Sequence, residues 1–94
     1  MDRAEIEKKL KERLGEILDR MEELEAKVKK SSGEIEERFE KDLADMKEKR
    51  AELKANLDKV QSAGDEALKE IEASFGRISN ELKSTFEKVW AKFD

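Results

Sequence analysis

The 94-residue chain has no cysteine, histidine, tyrosine or proline. Without cysteine there is neither a disulfide framework nor a thiolate metal site, and redox chemistry through sulfur is excluded. Without histidine the commonest general base and metal ligand is missing. An acid, base or nucleophile would have to come from carboxylates, lysines or the hydroxyls of Ser31, Ser32, Ser62, Ser74, Ser79, Ser84 and Thr85. None of these sits in a glycine-rich phosphate loop, a nucleophile elbow or a metal-ligand spacing. No enzymatic activity, cofactor, metal or small-molecule substrate is therefore expected. Long hydrophobic runs are also absent. Met1-Asp2-Arg3-Ala4-Glu5 leads straight into amphipathic sequence, so neither a signal peptide nor a membrane span is expected, and the expected compartment is the cytoplasm.

What is present is charge: 49% of the residues are Asp, Glu, Lys or Arg, with a net charge of −4. That profile belongs to solvent-laced helices or coiled coil rather than to an ordinary globule. High charge with low hydrophobicity also suits disorder. The apolar residues recur in phase along the chain, however, which a disordered segment has no reason to do. Lys and Arg alternate with Glu and Asp at nearly every turn, leaving no basic stripe to neutralise a phosphate backbone, so nucleic acid is not an expected partner.

The stretch from Ala67 to Phe93 carries the single Trp and three of the four Phe. Its large apolar residues are Leu68, Ile71, Phe75, Ile78, Leu82, Phe86, Val89, Trp90 and Phe93. From Ile71 onward they form an eleven-residue repeat that matches Ile71 with Leu82, Phe75 with Phe86 and Ile78 with Val89. At about 100° per residue they fall on one helical face, with only Trp90 at its edge. This face is the candidate interaction surface of the chain. Eleven residues in three turns gives a nearly straight helix or slight right-handed supercoiling, unlike a strict heptad. Ser74, Gly76, Ser79, Ser84 and Thr85 make the opposite face of this segment less charged than its counterparts, as a solvated face or one that meets something uncharged.

From Ala4 to Lys30 a heptad-like stripe runs through Ile6, Leu10, Leu14, Ile17, Met21, Leu24 and Val28. Acid-first pairs four apart, such as Glu7 with Lys11 and Glu16 with Arg20, support the helix by about 0.2–0.5 kcal/mol each. Asp2 is placed to cap its start. Ser31-Ser32-Gly33-Glu34 is a first break: Gly33 suits a left-handed helix end, and Ser31 with Glu34 reads as a capping box. The second stripe is Ile35, Phe39, Leu43, Met46, Leu53, Leu57 and Val60, with Arg50 where an apolar residue is due. Arg50 either lays its stem over the core with its head in water or forms a buried carboxylate pair that fixes register. Gln61-Ser62-Ala63-Gly64-Asp65 is the second break, with Gly64 as helix end and Ser62 or Asp65 as the next cap.

Three segments result, 2–30, 34–61 and 65–93, of matched length with short connections. The expected fold is all-α, a single domain in which three helices form an antiparallel up-down-up bundle. The alternative is a long helical hairpin, its first arm unbroken through Ser31 to Gly33 and folding back only at Gly64, or a coiled-coil dimer, because the apolar phase continues across both breaks, through Ser31 and through Gly64.

The run from Ala51-Glu52-Leu53-Lys54 through Ser62-Ala63-Gly64-Asp65-Glu66-Ala67-Leu68-Lys69 to Phe86-Glu87-Lys88-Val89-Trp90-Ala91-Lys92-Phe93 resembles a family of small bacterial coiled-coil, apolipoprotein-like proteins linked with stress response. The likeness covers roughly the last half of the chain and is mostly periodicity. It departs where family members begin the last helix with Ala-Trp, since Ala67 is followed here by Leu68. The resemblance implies a charged coil, a small-residue break and an amphipathic helix, and no catalytic or cofactor residues. Two functions follow as expectations. One is a non-enzymatic structural or interaction protein that associates with itself or another helical protein; the other is a binder of lipid or other apolar surfaces through residues 67–93.

Overall fold

The computed structural model describes residues 2–31 and 33–92. It contains three helices of 27 residues each: α1, Arg3–Lys29; α2, Gly33–Lys59; and α3, Asp65–Ala91. A single 3-10 turn, Val60–Ser62, follows α2. Each helix is about 40 Å long at 1.5 Å per residue, and the whole molecule measures 48 × 18 × 17 Å. Three helices therefore lie side by side, reversing at each short connection, as an antiparallel up-down-up bundle.

The chain reverses at both breaks, which rules out the hairpin with an unbroken first arm. The apolar phase across Ser31 has no bearing on this, since each helix need only turn its own stripe inward. The chemistry of the first turn differs from the capping box. The Ser31 hydroxyl donates back to the Val28 carbonyl, and the Ser31 N–H donates to the same oxygen at 3.1 Å, so Ser31 closes α1 instead of opening α2. Ser32 lies outside the described residues. Gly33 is the first residue of α2, and no glycine has positive φ among the described residues, so no left-handed helix end is used.

At the second break the roles are also exchanged. Gly64 is the N-cap of α3, in extended conformation, with its carbonyl accepting the Leu68 N–H at 2.9 Å. Asp65 is already helical, its charge adding to that of Glu66 at the positive end of the helix dipole, and the Ser62 hydroxyl donates to the Lys59 carbonyl. The start of α1 follows expectation: the Asp2 carboxylate accepts the Glu5 N–H at 2.9 Å. Arg3 then donates to the Ala63 carbonyl and Gln61 to the Glu7 carboxylate, tying the α2–α3 connection to the first turns of α1.

The core is built unequally. α3 is the most amphipathic helix and buries seven large residues, Leu68, Ile71, Phe75, Ile78, Leu82, Phe86 and Val89. α1 buries Ile6, Leu10, Leu14, Met21, Leu24 and Val28, with Ile17 half-buried. On α2 one residue per heptad is fully buried, Phe39, Met46 and Leu53, and Val60 continues the series. Between them Leu43, Arg50 and Leu57 are half-buried, so Arg50 takes an inner-edge position. No polar or charged residue is buried among the described residues, so the Arg50 guanidinium is not part of a buried ion pair. Two polar ties cross from α2 to α3. Asn56 donates to Ser74 at 3.3 Å, and Lys49 bridges Asp45 at 3.1 Å and Glu81 at 3.5 Å. Its bond to Asp45, followed by the charge of Glu81, holds the Lys49 ammonium above the ordinary lysine range.

Gly15 stands on the outer face of α1, exposed, where a Cβ would meet nothing within 4 Å. No close packing requires it, and a helix-interior glycine is less stable than alanine by about 0.5–1 kcal/mol. Gly15→Ala should accordingly raise the thermal midpoint by a few degrees, read by circular dichroism; an unchanged or lower midpoint would mean that a neighbour approaches this face.

Candidate functional site

The face expected to meet a partner is mostly used within the chain. Leu68, Ile71, Phe75, Ile78, Leu82, Phe86 and Val89 line the interior of the bundle. Phe93 lies outside the described residues. Trp90 is 39% exposed, the one large apolar side chain among the described residues that faces solvent to this degree. Its position at the edge of the stripe has a direct consequence: the ring leaves the core side of α3 and turns toward α1, where the Lys27 ammonium sits 4.2 Å from its centroid.

Trp90 forms one wall of a groove between α1 and α3, the helix pair with the sparsest contact in the bundle. The lower part, of about 390 Å³, is lined by Arg20, Glu23 and Leu24 from α1 and by Phe86, Glu87 and Trp90 from α3. The upper part, of about 260 Å³, continues past Arg20 and Phe86 to Arg13 and Glu16 on one side and Ser79 and Lys83 on the other. Leu24 and Phe86 are buried and make an apolar floor; the ionic residues stand exposed along the rim. The groove thus joins an apolar floor to a rim of alternating charge, the arrangement in which a helix docks another helix.

Little in the groove is placed for bond-making chemistry. The Ser79 hydroxyl is shielded from solvent and has no hydrogen-bond partner, so no base activates it there. Among the described residues no group of three or more carboxylates converges to hold a metal ion; Glu22, Glu23, Glu36 and Glu37 are all exposed. No helix among them is long and apolar enough to cross a membrane. The Glu7 carboxyl, held below its usual range chiefly by its bond to Lys11, belongs to the tie with Gln61 and not to the groove.

The rim residues Arg13, Glu16, Arg20, Glu23, Lys83 and Glu87 were not marked by any motif. Their one signal is the step of three or four along a flank beside each stripe. Which flank of α1 meets which flank of α3 follows from how the third helix is laid against the first two. Comparison with known proteins finds no family model that matches the chain and no significantly similar curated protein or solved structure. The coiled-coil, apolipoprotein-like resemblance rests on the quoted residues alone.

Proposed function

We propose that this protein is a non-enzymatic interaction module, a three-helix bundle that docks a partner helix along the α1/α3 groove, of the stress-associated coiled-coil kind that the resemblance implies. The observation that carries this reading is the exposed Trp90 beside the apolar floor of Leu24 and Phe86, inside a rim of mixed charge. An exposed aromatic next to a buried apolar floor is the usual composition of an interface centre, and mixed rim charges suit a charged helix better than a lipid headgroup layer. The lipid-surface reading requires α3 to leave the bundle, exposing seven large apolar residues before any of them reaches a membrane. Lys83, Lys88 and Lys92 are moreover balanced by Glu72, Glu81 and Glu87, giving little attraction to anionic lipid.

The test uses a net-neutral amphipathic helical peptide with a leucine stripe, followed by amide chemical shifts and hydrogen exchange. Docking should move the signals of Arg20, Phe86 and Trp90 while the amides of Phe75 and Leu82 stay protected. Vesicles of phosphatidylcholine and phosphatidylglycerol should leave the Trp90 fluorescence where it is in buffer. A blue shift on vesicles, with loss of protection at Leu82, would overturn the helix-docking reading in favour of the lipid surface.

A further inference from the structure

We infer that the occupant of the α1/α3 groove is a second copy of this chain, docked groove to groove with its helices antiparallel. The inference rests on the helix-docking reading and names the partner. Six ionic residues line the groove: three cations, Arg13, Arg20 and Lys83, and three anions, Glu16, Glu23 and Glu87. A rim of zero net charge offers no attraction to a strongly acidic or basic partner, whereas alternating signs can be matched by a surface of the same pattern.

The spacing of the charges along each helix sets the match. Consider a two-fold axis perpendicular to the helices that crosses α1 at the height of Leu18 and α3 at the height of Thr85. Residues equidistant from the axis then face one another across the two copies. On α1, Arg13 falls opposite the partner's Glu23, and Glu16 opposite the partner's Arg20. On α3, Lys83 falls opposite the partner's Glu87. All six rim charges meet the opposite sign. The two crossing points lie at nearly the same level of the bundle, because Arg20 shares both parts of the groove with Phe86. A two-fold axis parallel to the helices would instead lay α1 on the partner's α3. That arrangement pairs Glu16 with Lys83 and Arg20 with Glu87, but leaves Arg13 over Asn80 and Glu23 over Trp90. Charge selects the antiparallel arrangement, an isologous and therefore closed dimer.

Two features of the α3 wall fit the same geometry. Trp90 comes to lie over the partner's Asn80. Ser79 faces the partner's Ala91, small against small, so the two α3 helices approach closely.

The absence of cysteine makes the test direct. Sedimentation equilibrium should give twice the chain mass of 10.9 kDa. Lys83→Glu, an exposed change, should weaken the dimer by roughly tenfold or more, since it opposes like charges twice across the axis. Lys83→Glu combined with Glu87→Lys should restore it. Mixing Lys83→Cys with Glu87→Cys chains under mild oxidation should yield the mixed disulfide several-fold faster than either variant cross-links with itself. A monomer at every concentration overturns the second copy as occupant, while the peptide titration separately decides whether the groove docks helices. A dimer that is indifferent to charge reversal, is not restored by the double exchange, or cross-links without preference for the mixture overturns the antiparallel arrangement.

Discussion

Leu53→Asp should unfold the bundle, while Glu52→Gln beside it should leave both the helical circular dichroism and the thermal midpoint unchanged. Leu53 has no exposed surface, and it follows Phe39 and Met46 as the buried member of its heptad on α2. Truncating such a leucine to alanine costs about 2–5 kcal/mol through lost transfer energy and the cavity left behind. Aspartate adds the desolvation of a carboxylate with no buried cation to meet it, because no charged residue is buried among the described residues. The combined cost reaches the about 5–15 kcal/mol that holds a domain of this size together. Glu52 is exposed, so removing its charge falls within about 0.5 kcal/mol of neutral. The two variants differ by one position and by side of the helix. Comparable effects from both would mean that the stripe does not face the core.

The stripes themselves were legible because helical periodicity is a property of local spacing. Every large apolar residue assigned to α3 by spacing is buried apart from Trp90, and Phe93 lies outside the described residues. The edge position of Trp90 was also readable from its angle on the helix. The turns were less so. Ser31, Ser62 and Asp65 all have side chains able to cap, and which backbone group each one takes depends on where its neighbours place the chain. Ser31 turns back to Val28 and Ser62 to Lys59, leaving an extended glycine, Gly64, to begin α3. The groove was the least legible feature. Arg13, Glu16 and Arg20 look like any solvated flank until α3 is laid beside α1, and a stripe centred on the core does not state which of its two flanks has a neighbour. The low charge of the α3 face near Gly76 and Ser79 was visible in the sequence; that it borders the groove was not.

Phe75→Ala should lower stability by about 3–5 kcal/mol, the usual cost of removing a fully buried phenylalanine ring. Phe75 has no exposed surface and adjoins Ser74, which Asn56 of α2 holds at 3.3 Å. At about 4–8 °C per kcal/mol for a domain of 60–100 residues, the thermal midpoint should fall by more than 10 °C. Trp90→Ala provides the comparison on the same helix. Its ring is 39% exposed and stacked by Lys27, so with the chain dilute enough to be monomeric its loss should cost much less than that of Phe75. The size of the difference bears on the choice between an α3 that belongs to the bundle and one that leaves it. If α3 spent most of its time detached, ready for an apolar surface, its buried stripe would contribute little to the folded state. Phe75→Ala would then cost no more than Trp90→Ala, and α1 with α2 would melt at a nearly unchanged temperature. A large loss at Phe75 with a small one at Trp90 places the energy of α3 in its own core, leaving the Trp90 edge and the groove beside it as the part of the helix available to a partner.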